Sequence, residues 1–64
     1  MKLITFKNVE VIEEQGYYLA SKNDKIIVTR LLNQLWDDEF LVLDTEKQRV
    51  YFNQTWVADV IKLS

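Results

Sequence analysis

Carboxylates and indoles are the groups in this sequence with chemistry to offer. Glu10, Glu13 and Glu14 form one acidic cluster; Asp37, Asp38 and Glu39 form a second. Two carboxylates held apart across a cleft can carry out glycoside chemistry. No pair is singled out here, and 64 residues leave little room for a pocket that buries a substrate. Catalysis is therefore set aside, and the reading is of a protein that is not an enzyme. Calcium loops need alternating oxygen ligands and a glycine, which neither cluster has. Zinc draws on Cys and His, and the chain contains neither. No metal and no cofactor is expected. What remains for the acids is to attract Arg or Lys of a partner through charge-assisted hydrogen bonds. The plainer alternative is solvated loop charge that aids solubility.

Trp36 and Trp56 are the residues best suited to carry binding energy, because large aromatics dominate interface hot spots. Trp56 has a structural alternative as a core aromatic, with Val57 then on the opposite face. Trp36 lies among polar residues and has one as a plug over the end of a barrel. Tyr17 and Tyr18 place one ring on each face of a strand, and Tyr51 adds a third ring; cross-strand aromatic packing is the simpler account. Lys22, Lys25, Arg30, Lys47 and Arg49 are scattered, and lysines in turns protect sheet edges.

Composition bounds the rest. The chain allows one domain over residues 1–64, with stability on the order of 3–5 kcal/mol. Ten acidic and eight basic residues give a net charge of −2. That argues against nucleic acid, whose binders carry a basic patch. No apolar run approaches the roughly 18 residues of a membrane span, and the N-terminal stretch is too short for a signal peptide. A cytoplasmic protein is the expectation. A compact chain free of Cys and Pro also fits a bacteriophage-encoded protein.

Several elements must position these groups. Phe40–Leu43 and Val50–Phe52 flank the polar stretch Asp44–Arg49, a hairpin signal with strands near 39–44 and 48–53. Residues 2–6, 9–12 and 17–20 read as strands, and 58–63 as a short last strand. Asn53 to Trp56 fits one tight 3₁₀ turn. Gly16, the sole glycine, is the candidate for a positive φ. With no proline, Asn and Asp must supply most turn conformations. Ile26-Ile27-Val28 is β-branched and favours a strand. Yet Ile27, Leu31 and Leu35, with Val28 and Leu32, also share a helical face, capped by Asn23 or Asp24. The leading reading is all-β, a small barrel of five or six strands. The alternative is α+β with a helix near 24–36.

The pattern resembles an SH3 domain. Phe52-Asn53-Gln54-Thr55-Trp56-Val57 has the spacing of that family's hydrophobic-Pro-Ser-Asn-Tyr-Val motif. Tyr18 to Ile26 is similar to its diverging turn, and Leu3-Ile4-Thr5-Phe6 to its opening strand. The resemblance implies an SH3-like barrel whose two flanking loops carry the acids. It also implies a groove that has lost its polyproline residues, since Asn53 and Thr55 replace the motif's Pro and Asn. The expectation is a module that binds a protein or peptide partner through an aromatic face rimmed by acid. The candidate contact residues are Phe6, Glu13, Glu14, Trp36, Asp37, Asp38, Phe40 and Trp56. A small structural or regulatory homo-oligomer, or an acidic inhibitor that docks on a basic surface, are the rival expectations.

Overall fold

The computed structural model describes residues 2–63. Seven elements follow in order: β1 (Leu3–Phe6), α1 (Val9–Glu13), β2 (Tyr17–Leu19), α2 (Lys22–Gln34), β3 (Leu41–Asp44), β4 (Arg49–Phe52) and β5 (Thr55–Lys62). The strands form one curled antiparallel sheet in the order β1-β3-β4-β5-β2. The β3–β4 hairpin falls where the sequence places it, with Leu43 opposite Val50. Asp44 shapes its turn: one carboxylate oxygen accepts the N–H groups of Glu46 (3.0 Å) and Lys47 (3.1 Å).

The fold is mostly β, with the five strands expected in one curled sheet, but two segments expected as strands are helices. Residues 22–34 form α2, the alternative reading. Ser21 caps it, its hydroxyl accepting the N–H of Asp24 at 3.1 Å and donating to the Asp24 carboxylate at 2.9 Å. The cap is therefore neither Asn23 nor Asp24. Helical spacing lets Val28, Leu31, Leu32 and Leu35 all meet the core, while Ile26 and Ile27 stay exposed. A strand would turn only alternate residues inward. Residues 9–13 form the single-turn α1, which buries Ile12 fully.

The expected 3₁₀ turn at 53–56 is also corrected. Asn53 (φ 50°) and Gln54 (φ 67°) both have positive φ and join Phe52 to its partner Thr55. That is a two-residue primed hairpin turn, whose twist matches that of its strands. Trp56 is thus already inside β5, which begins at Thr55 rather than near residue 58. A bulge at Val57 separates the Tyr51–Trp56 and Val50–Ala58 pairs. Gly16 has the expected positive φ, at 90°.

One core binds these parts. Ile4, Phe6, Leu41, Leu43, Val50, Ala58 and Val60 of the sheet's inner face meet Ile12 of α1 and Val28 of α2. Both helices therefore pack on the same face, and α1 touches both edge strands, β1 and β2. Among the described residues, no helix lies over the other face of the sheet.

Candidate interaction surface

Alternation along each strand decides what that uncovered face carries. Inward Ile4, Leu43 and Val50 imply outward Leu3, Val42 and Tyr51: Val42 lies opposite Tyr51, while Leu3 lies opposite Asp44 and diagonal to Val42, whose partner on β1 is Thr5. Trp56 pairs with Tyr51 and joins the same face. Leu3 and Trp56 are about half exposed, and Val42 and Tyr51 half-buried.

The Trp56 ring is held in place. Its indole N–H donates to the Asp59 carboxylate at 3.0 Å and to the Ala58 carbonyl at 3.2 Å. The Arg49 guanidinium lies 4.0 Å from the ring centroid, a cation–π contact. One surface of the indole is thus covered by a cation while half of the residue faces solvent.

The loop between α2 and β3 supplies the acidic border. Trp36 donates its N–H to the Glu39 carboxylate at 2.8 Å, and Glu39 donates its own N–H to the Trp36 carbonyl at 2.9 Å. Lys7 donates to the Asp37 carbonyl. These bonds fix a short loop on which Trp36 is 77% exposed, beside exposed Asp37 and Asp38. Phe40 is 46% exposed. A groove of about 540 Å³ runs from Asp38, Glu39 and Phe40 to Phe52, Asn53 and Gln54. A hollow of about 400 Å³ lies next to it, lined by Leu3, Tyr51 and Lys47 among others. Val42 and Gln54 line both, so the two form one continuous surface.

The sequence-nominated residues divide accordingly. Asp38 and Phe40 line this surface, Trp56 stands on the same face, and Trp36 and Asp37 share the acidic loop. Phe6, only 3% exposed, belongs to the core, because it alternates with Thr5 on β1. Glu13 and Glu14 end the helix α1 rather than sit on a loop. Glu13 lines a different hollow, of about 420 Å³, with Val9, Tyr18 and Lys22. Leu3, Val42 and Arg49 were not among the nominated residues. Their signal was present in the strand alternation, but only once the covered face is known.

Three carboxylates elsewhere are engaged in structural bonds: Asp24 with Ser21, Asp44 with its turn, and Asp59 with Trp56. Among the described residues there is no group of acids able to hold a metal ion and no helix long and apolar enough to cross a membrane. Comparisons with protein-family models, with curated proteins and with solved structures find no match to this chain.

Proposed function

We propose that this protein is a non-enzymatic interaction module that binds a protein through the outer face of its sheet and the acidic loop beside it. The observation that carries this reading is the four-residue apolar cluster Leu3, Val42, Tyr51 and Trp56, left without a helix over it. An apolar face edged by polar residues supports reading it as an interaction surface. The clamped indole adds to it, since a ring already fixed in its bound orientation loses little entropy on association.

Trp56→Ala and Trp36→Ala provide the test. Neither side chain fills the core, so both variants are expected to keep the wild-type circular dichroism. Trp56→Ala is expected to weaken partner capture at least tenfold, the loss typical of an aromatic hot spot. Unchanged capture by a folded Trp56→Ala variant would overturn the reading.

The rigid loop favours a second reading, an inhibitor that inserts Trp36 into a basic-rimmed site. Its attraction would come from Asp37 and Asp38, so affinity would fall steeply with salt. A contact centred on Trp56 is expected to change little under the same titration.

A further inference from the structure

Strand β2 has a free edge with a hollow beside it. The Gly16 carbonyl accepts the Leu63 N–H at 2.8 Å, and Ala20 donates its N–H to the Asp59 carbonyl at 3.0 Å. Antiparallel pairing alternates bonded and unbonded residues, so Tyr18 also turns its backbone to β5, while Tyr17 and Leu19 turn theirs away. Val60, opposite Leu19, agrees: its N–H goes to the Gln48 carbonyl at 3.0 Å. Ser21 is still extended, with φ −144° and ψ 167°, and continues the alternation. Tyr17 is buried. The accessible groups are thus the N–H and C=O of Leu19 and the N–H of Ser21. None of the three is bonded among the described residues. A hollow of about 420 Å³ lies at this edge, with Val9 and Glu13 of α1 and Lys22 and Lys25 of α2 in its walls.

We infer that this edge takes one extended segment of a partner protein, added to the sheet beside β2. An unpaired edge recruits a strand through its backbone groups. In an antiparallel approach one residue of the segment exchanges two bonds with Leu19, and the residue two before it accepts the Ser21 N–H. Charge names the segment. Glu13 stands at the start of β2, where its carbonyl accepts the Gly16 N–H at 3.0 Å. There Glu10, Glu13 and Glu14 are opposed by Lys62, held over the Tyr17 ring, while Lys7 is bonded to the Asp37 carbonyl. Lys22 and Lys25 stand at the other end. They are opposed by Asp24, bonded to Ser21; Asp59 is bonded to Trp56 and lies opposite Arg49. Each end keeps an excess of its own sign, and among the described residues neither Glu13 nor the two lysines has an ion-pair partner. A segment antiparallel to β2 therefore carries an acid first, apolar and β-branched residues in the middle, and a base last. Helix α1 bounds the far side of the hollow, which admits a single chain and not the edge of a second folded sheet.

The end-blocked peptide Glu-Val-Thr-Val-Lys is the probe. Titrated to millimolar concentration into isotope-labelled protein, it is expected to shift the amide resonances of Leu19 and Ser21 and to slow their hydrogen exchange at least tenfold. Methylation of its threonine nitrogen removes the donor set against the Leu19 carbonyl and is expected to weaken binding at least tenfold. Lys25→Glu, a change at an exposed position, should weaken the peptide too, and Lys-Val-Thr-Val-Lys should bind that variant better than it binds wild type. Unmoved Leu19 and Ser21 amides would overturn the inference, as would equal binding of the methylated peptide or indifference to Lys25→Glu. A Leu19 amide that shifts with protein concentration alone would give the edge to a second copy and overturn it as well. The outer face takes no part in this experiment and keeps its own test.

Discussion

Two residues with positive φ behave oppositely because of what surrounds them. Gly16 has φ 90°, and a Cβ there would lie 3.0 Å from the Leu63 carbonyl oxygen. That approach exists because Leu63 donates its N–H to the Gly16 carbonyl at 2.8 Å, pinning the end of the β2–β5 pairing. Gly16→Ala therefore combines strain with a steric conflict, and a loss of about 1–3 kcal/mol is expected. Gln54 holds φ 67° with a side chain that pays the usual steric penalty and makes no hydrogen bond of its own among the described ones. Gln54→Gly creates an Asn-Gly turn, the favoured pair for this hairpin. It is expected to gain about 0.5–1 kcal/mol, seen as a Tm rise of about 2–8 °C. Thermal unfolding of the two variants beside wild type checks both signs.

Helix α2 shows how far sequence reading reaches at the level of elements. Its cap is worth about 1 kcal/mol, so Ser21→Ala is expected to lower the urea midpoint and leave the slope unchanged. Ser21→Asn, which keeps both an acceptor for the Asp24 N–H and a donor for its carboxylate, should lose much less. The same cap was the signal able to settle the segment. Ser21 followed by Asp24 is a capping pattern three residues apart, just ahead of an apolar run. The β-branched triplet at 26–28 outweighed it, although only Val28 of the three is buried. The β3–β4 hairpin was legible because its apolar runs are short, regular and separated by polar residues. The turn at 53–54 was not, since one of its two left-handed residues is Gln54, a type that seldom adopts that conformation. The site was half legible. Trp36, Asp38 and Trp56 announce themselves by type, whereas the place of Phe6 depends on which sheet face the helices cover, and a four-residue strand does not say.

At the scale of the whole molecule, strand β5 belongs to two partnerships. Thr55–Asp59 pairs with β4 across a two-residue turn, while Val60–Lys62 pairs with β2, so that Tyr17 faces Lys62. The first contact joins neighbours in the chain; the second joins residues more than 40 positions apart. Neighbouring strands zip together in microseconds, whereas a distant pairing must wait for a long loop to close. The β3–β4–β5 meander is thus the early, persistent part of the fold, and the two edge strands, β1 and β2, arrive later, β2 across the longer separation. What arrives last also opens first. In native-state hydrogen exchange the amides of Tyr18 and Ile61 are expected to exchange sooner than those of Leu43 and Val50, through an opening that detaches β2 and leaves the meander paired. Equal protection at all four would mean that the molecule opens only as a unit. The outer-face cluster of Leu3, Val42, Tyr51 and Trp56 lies on β1 and the meander, so such breathing at the β2 edge would leave it assembled.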